Sequence, residues 1–311
     1  MIKSLNLAIY IIFATIVLLS FSGCADDKPL PVSKTVPPKT ASISKNNVST
    51  DAETHYNRGL VYQQQGKLDE AIREFKEAVR LKPNYAQAYN NTGTSYQVQR
   101  KFNPAIEAYK RAIEIKPELV EAHHNLATTY LLQGKINEAI VTFTMVTDLR
   151  PRLANAYVDL GRAYGSGGRL DEAIIEFKRA IELDPNLATA HYAVGVSYRH
   201  KGMLDEAISS LEVARQLRPN FIEAHLNVGY AYRDNGVLEE AAEAFKTINR
   251  LNPKNYEAYH ELGITYNKQR AYSEAITAFE QALQIKPDAL ETQNNLRVAQ
   301  ARLAQRQTKR K

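Results

Sequence analysis

Apolar and small residues recur along this chain with a period of 34 residues, from Ala52 to Ala289. When each period is numbered from 1 at its first residue, positions 4, 8 and 11 fall on one face of a helix. Positions 20, 24 and 27 fall on one face of a second helix. The pattern therefore predicts helical hairpins in tandem, at residues 52–85, 86–119, 120–153, 154–187, 188–221, 222–255 and 256–289.

Several positions carry the same kind of residue in every period. Position 11 is always Tyr, position 20 is always Ala, and position 32 is always Pro, which ends the second helix. Position 8 is Gly or Ala, so the two helices can approach closely. Position 24 is large and apolar: Phe75, Tyr109, Phe143, Phe177, Leu211, Phe245 and Phe279. One hairpin cannot bury these faces alone, so the pattern predicts a stack of hairpins.

The chain resembles the tetratricopeptide repeat family, whose 34-residue pattern of aromatic, Leu-Gly, Tyr, Ala, Phe and Pro residues it follows. The resemblance implies an all-α fold, a right-handed superhelical solenoid of seven helix-turn-helix repeats. Residues 290–311 are predicted to add a capping helix and a basic tail. In the capping helix, Leu296, Ala299 and Leu303 form one apolar stripe.

Position 4 departs from the family pattern because Trp is absent. Its occupants are His55, Tyr89, His123, Tyr157, His191, His225 and Tyr259. A metal site needs several histidines that converge, whereas these lie one whole repeat apart and are separated by packed helices. We therefore interpret the four histidines as packing residues and predict no metal ion and no cofactor.

The N-terminus carries an apolar run, Leu5–Phe21, that ends beside the single cysteine, Cys24. The stretch Phe21–Cys24 resembles a bacterial lipobox, in which the cysteine is lipidated and becomes the new N-terminus. Residues 1–23 are therefore predicted to be a signal peptide or membrane segment, and Cys24 a lipid anchor in the cell envelope, on the non-cytoplasmic side. Ala25 weakly favours the outer membrane in a Gram-negative host. An uncleaved anchor helix and an ordinary secretory signal remain alternatives.

Residues 24–51 form a polar stretch that contains Pro29, Pro31, Pro37 and Pro38. Such a composition cannot bury a core and is typical of a flexible linker, with a span of roughly 30 Å. The linker is predicted to hold the repeats clear of a membrane.

Motifs for catalysis are absent from the repeat region, which has no Walker loop, no HExxH and no nucleophilic cysteine. The glycine-rich stretch Gly165–Arg169 falls where a turn between two helices is expected. The 40 basic and 34 acidic residues are interspersed along the repeats. These features indicate a protein that is not an enzyme and does not bind nucleic acid.

The resemblance places function at positions 2, 6, 9 and 13 of each first helix and on neighbouring side chains, which in this family line a concave groove. Position 6 is Asn in four repeats, similar to the asparagine arrays that hold extended peptides in O-GlcNAc transferases. An asparagine amide both donates and accepts, so it can pair with a peptide backbone. The candidate groove residues are Asn57, Asn91, Thr94, Asn125, Thr128, Arg162, Tyr192, Arg199, Asn227, Tyr230, Arg233, His260 and Lys268.

The function expected from these features is an envelope-anchored scaffold that binds extended protein segments during assembly, secretion or wall remodelling. The alternative is a substrate-targeting subunit for a separate enzyme such as a glycosyltransferase. The expected partners are proteins or peptides in the groove and a membrane through the N-terminal lipid. Homo-oligomerisation through the convex face stays open.

Overall fold

The computed structural model describes residues 51–308, which fall into two compact units divided between Arg169 and Leu170. The first unit contains α1 (Ala52–Gln64), α2 (Leu68–Leu81), α3 (Ala86–Val98), α4 (Phe102–Ile115), α5 (Val120–Leu132), α6 (Ile136–Leu149) and α7 (Ala154–Ser166). The second contains α8 (Leu170–Leu183), α9 (Ala188–His200), α10 (Leu204–Leu217), α11 (Ile222–Asp234), α12 (Leu238–Leu251), α13 (Tyr256–Lys268), α14 (Tyr272–Ile285) and α15 (Leu290–Thr308).

Odd-numbered helices up to α13 are the first helices of their repeats, and even-numbered helices are the second. In both units each complete hairpin packs its two helices together, and each second helix packs on the first helix of the next repeat. Residues 51–308 contain helices and turns but no strand. The predicted all-α repeat architecture is therefore confirmed.

The small residues at position 8 have a steric cause. A Cβ atom added to Gly59 would lie 2.5 Å from the ring of Phe75, and one added to Gly93 would lie 2.6 Å from the ring of Tyr109. The alanines at position 20 are fully buried in every repeat: Ala71, Ala105, Ala139, Ala173, Ala207, Ala241 and Ala275. At Gly59 and Gly93, the aromatic ring at position 24 therefore occupies the space that a Cβ atom at position 8 would take.

The turn inside each hairpin needs one left-handed residue, at position 15. Glycine supplies it in five repeats, as in Gly134 with φ 73°, whereas Arg100 and Arg270 adopt φ 59° and 62°. In the fourth repeat α7 continues through Gly165 to Ser166, and Gly168 takes the left-handed conformation with φ 73°. Only the end of the glycine-rich stretch therefore forms the expected turn.

Each second helix ends two residues before the proline at position 32, as α4 does at Ile115 before Pro117. In several repeats the carbonyl of this proline accepts a hydrogen bond from the position-4 side chain of the next repeat. His123 Nε2 lies 2.9 Å from the Pro117 carbonyl, and Gln293 Nε2 in α15 donates to the Pro287 carbonyl at 2.7 Å. His191, His225 and Tyr157 make the same contact. Position 4 thus ties the start of one repeat to the end of the previous one.

The predicted signal sequence, Cys24, nearly all of the linker and the last three residues of the basic tail lie outside the described residues. Among residues 51–308, none of the helices combines the length and the apolar character needed to cross a membrane.

Candidate functional site: the first-helix surface

The candidate site is the first-helix surface, which we define as the side chains at repeat positions 2, 5, 6, 9, 12 and 13. Within the first unit, α1 contacts α3 and α3 contacts α5. Within the second unit, α9 contacts α11 and α13 contacts α15. Side chains at the same repeat position therefore recur from one helix to the next within a unit.

Hydrogen bonds between side chains connect the first three repeats along this surface. Asn125 Nδ2 donates to Asn90 Oδ1 at 3.1 Å, Asn90 Nδ2 lies 3.4 Å from Asn91 Oδ1, and Asn91 Nδ2 donates to the Tyr56 hydroxyl at 2.9 Å. Burial raises the pKa of Tyr56, although the bond to Asn91 opposes that shift. Two of the predicted groove asparagines, Asn91 and Asn125, therefore already stabilise contacts between repeats.

A charged cluster follows in the third and fourth repeats. His124 Nε2 lies 2.9 Å from Asp159 Oδ2, and Arg162 donates to the other oxygen of the same carboxylate at 3.3 Å. Burial lowers the pKa of His124, but the hydrogen bond and charge of Asp159 outweigh burial and leave that pKa above its usual value. The predicted groove residue Arg162 thus lies beside a carboxylate of its own helix.

The remaining predicted residues of the first unit lie on the same surface. Asn57 is exposed and Thr128 is half-buried, whereas Thr94 donates its hydroxyl to the Asn90 carbonyl at 3.2 Å. Two apolar side chains that the sequence reasoning missed, Val98 and Leu132, are 62% and 53% exposed. Both occupy position 13, so reading that column for apolar residues would have found them.

Three predicted groove residues of the second unit are buried: Tyr192, Asn227 and His260. Asn227 Nδ2 donates to the Tyr192 hydroxyl at 3.3 Å and to the Glu223 carbonyl at 2.9 Å. His260 Nδ1 lies 2.8 Å from the Thr292 hydroxyl. These three side chains are buried and already have hydrogen-bond partners within the protein, and their contact with a ligand stays a prediction.

Two other predicted residues of the second unit, Arg199 and Arg233, form an ionic cluster around a third, Tyr230. The guanidinium carbons of Arg199 and Arg233 lie 5.4 Å and 5.2 Å from the centre of its ring. Arg233 is paired with Glu261, a residue the sequence reasoning did not single out as a site. The Tyr230 hydroxyl donates to Glu257 at 2.7 Å, and burial together with both glutamates raises its pKa. Lys268 is exposed.

A separate concavity of about 640 Å³ in the second unit is lined by residues of both first and second helices, from α10 to α14. Its lining includes Glu243, Lys246 and Tyr266. Lys246 Nζ bonds Glu243 at 2.6 Å and lies 5.8 Å from the centre of the Tyr266 ring. Because Lys246 and Glu243 are paired with each other, the first-helix surface remains the stronger candidate for a binding site.

Residues 51–308 hold no group of three or more His, Cys, Asp or Glu side chains that could bind a metal ion. Tandem helical hairpins of this kind, with polar and apolar side chains accessible on the first helices of each unit, define a protein–protein interaction scaffold. Tetratricopeptide repeat models match residues 50–118, 108–141, 161–199, 198–263 and 256–289, and the chain belongs to this family. Among curated proteins, no sequence matches the chain significantly.

Solved structures of repeat proteins match most or about half of the chain. The C-terminal part of a TPR repeat-containing protein from Cytophaga hutchinsonii matches with a TM-score of 0.64 and 17% identity, over 78% of this chain and 99% of that one. The APC/C hetero-tetramer Cut9-Hcn1 matches with a TM-score of 0.57 and 18% identity, over 83% of this chain and 50% of that one. The protein MamA matches with a TM-score of 0.50 and 31% identity, over 55% of this chain and 94% of that one. At 17% and 18% identity, the first two matches show a shared fold alone.

Proposed function

We propose that this protein is a non-catalytic scaffold, anchored in the cell envelope through lipid on Cys24. Its first-helix surface binds extended segments of partner proteins during assembly, secretion or wall remodelling. The proposal combines the lipobox-like sequence with the interaction fold of the repeats.

The observation that carries the proposal is the regular array of accessible side chains on the first unit. Val98 and Leu132 occupy the same position in consecutive repeats and are largely exposed, and the half-buried Thr94 and Thr128 repeat in the same way. Such an array offers apolar and neutral polar contacts at regular intervals along a line. A line of contacts fits an extended polypeptide better than a compact small molecule, which needs a concave pocket.

Site-specific crosslinking in intact cells tests the location of binding. A photoreactive residue at Val98 or Leu132 should form adducts with partner proteins. A matched probe at Glu107, which is exposed on the second helix α4, should form few. Equal labelling from Glu107 would place the partners on the second helices instead.

The hydrogen bonds between asparagines determine which variants test the surface cleanly. Replacing Asn91 or Asn125 by Ala removes hydrogen bonds between repeats and should lower the stability of the protein. A loss of partner capture by such a variant could then result from either weaker binding or lower stability. Asn57 is exposed, and a variant combining Asn57→Ala with Thr128→Ala should keep the helicity and melting temperature. Reduced partner capture by this variant supports backbone recognition on the surface, whereas unchanged capture argues against it.

The anchor is tested by Cys24→Ser. The variant should lose acyl-chain incorporation and accumulate as an uncleaved precursor, because serine lacks the thiol to which the lipid would be attached. An unmodified mature product from the natural sequence would overturn the lipid-anchor part of the proposal while leaving the scaffold part intact.

A targeting subunit for a separate enzyme, such as a glycosyltransferase, is the second candidate function. Exposed neutral side chains that contact a peptide backbone would suit many substrates, because a backbone is common to all sequences. Identification of the crosslinked proteins separates the two functions. Stable components of one assembly support the scaffold, whereas one transferase with many transient substrates supports the targeting subunit.

A further inference from the structure

We propose that Arg199 binds a side-chain carboxylate of the partner polypeptide, so that the second unit selects acidic segments. This inference rests on the proposed function and deepens it, because it names the chemistry that one part of the first-helix surface recognises.

Arg199 is a largely buried cation that its own surroundings satisfy only in part. Its side chain is 20% exposed, and its Nε atom is buried without a hydrogen-bond acceptor among residues 51–308. The carboxylate paired with it, Asp234, lies 3.9 Å from Nη1, beyond hydrogen-bond distance. A guanidinium has five N–H donors in a planar fork, and burying it without acceptors is unfavourable.

Neighbouring groups hold this guanidinium in place. Its central carbon lies 5.4 Å from the centre of the Tyr230 ring, within the range of a cation–π contact. The ring is fixed in turn by the hydrogen bond from its hydroxyl to Glu257 and by Arg233, which also lies over it. A cation positioned in this way loses little side-chain entropy when it binds a carboxylate through two N–H groups.

The other charged groups of the cluster already have partners within the protein. Arg233 is paired with Glu261, and Glu257 accepts from Tyr230. Burial and the charge of Arg199 lower the pKa of His200 to about 4, so that this neighbour is neutral at pH 7. Asp234 is 43% exposed and can turn toward water. It is therefore the one carboxylate that a ligand would have to displace from Arg199.

The occupant that we propose for Arg199 is a carboxylate. A carboxylate carries one negative charge and can accept two parallel N–H bonds from the fork. The partner class is therefore a polypeptide segment that contains Asp or Glu.

Two fluorescein-labelled peptides of identical length, (Glu-Ser)5 and (Gln-Ser)5, are suitable probes for the full-length protein. The Glu peptide should bind about tenfold more tightly, because hydrogen bonds to charged groups are the stronger ones. Arg199→Gln should remove most of this difference. Arg199→Lys should remove part of it, because the charge remains but the fork is lost.

Two further variants separate the site from general electrostatics and from misfolding. Asp234→Asn removes the competing carboxylate and should increase the preference for the Glu peptide. Lys254→Gln removes one positive charge from an exposed turn in the same unit and should leave the preference unchanged. Helicity and melting curves recorded for each variant show whether it is folded.

Equal binding of the two peptides, or a preference that survives Arg199→Gln, overturns carboxylate recognition by Arg199. Either result leaves the proposed function standing if crosslinks still form at Val98 and Leu132. Loss of those crosslinks, in contrast, argues against the scaffold surface whatever the peptides show.

Discussion

At the scale of single residues, the repeat is built around positions where only a small side chain or a particular backbone conformation fits. Position 8 is the first example, because the Gly93 Cα faces the Tyr109 ring so closely that a Cβ would lie 2.6 Å away. Position 15 is the second, because its left-handed φ strains residues that have a Cβ. Arg100 and Arg270 carry this strain, with φ 59° and 62°.

We expect Arg270→Gly to stabilise the protein by about 0.5–1 kcal/mol, since relief of the left-handed strain exceeds the added entropy of the unfolded chain. The Arg270 carbonyl, which accepts from Arg306, is retained in this variant. Chemical denaturation would measure the change.

The matched control is Gly134→Ala, at the same repeat position with φ 73° and with open space around its Cα. It should destabilise the protein by about 1 kcal/mol for the same reason. If both variants shifted stability in the same direction, backbone strain at position 15 would not be the cause.

At the scale of elements, helices are held in register by side chains that reach from one repeat to the next. In several repeats the position-4 side chain donates to the carbonyl of the proline that follows the preceding second helix, as His123 does to Pro117. The position-14 side chain bonds position 18 of the preceding repeat, as Gln133 does to Asn103 at 2.8 Å. Both kinds of hydrogen bond therefore join a repeat to the one before it.

His123→Leu should destabilise the protein by about 1 kcal/mol, because it leaves the Pro117 carbonyl without its donor. His123→Gln should cost less, since Gln293 makes the same bond at the corresponding position of α15. Thermal unfolding of the two variants measures the difference. A Leu variant as stable as the Gln variant would show that packing alone determines the role of His123.

At the scale of the whole chain, the contacts within each unit are between neighbouring repeats. The same polar contacts return with the period: Asn91 and Tyr56 are 35 residues apart, as are Asn125 and Asn90 and also Asn227 and Tyr192. Stability should therefore be a sum over repeats and their nearest-neighbour interfaces.

Deleting residues 188–221 removes α9 and α10, one full period, and joins Leu187 to Ile222 in the correct repeat register. We expect a soluble helical protein of lower stability, because each remaining repeat still meets a complementary neighbour. Deleting residues 188–204, half a period, would place two second helices in succession and should abolish folding. Circular dichroism and size-exclusion chromatography test both deletions, and equal failure of the two would indicate a single cooperative core.

The sequence by itself determined the all-α architecture and the tandem helical hairpins. This was possible because the information is local and repeated: Tyr at position 11, Ala at position 20 and Pro at position 32 each act within one repeat or on its neighbour. The same period could have revealed the Asn91–Tyr56 contact, since position 6 of one repeat meets position 5 of the repeat before it.

Only the tertiary structure decided which polar side chains of the first-helix surface are already committed. Tyr192, Asn227 and His260 share the helical phase of a ligand-binding surface, yet they are buried against adjacent helices. Arg199 is partly exposed, but its Nε atom is buried without a hydrogen bond. Helical phase places a side chain on a face, but its burial and its partners depend on the size and polarity of residues one repeat away. Those contacts form only when the helices pack, because they join side chains about one repeat apart in the sequence.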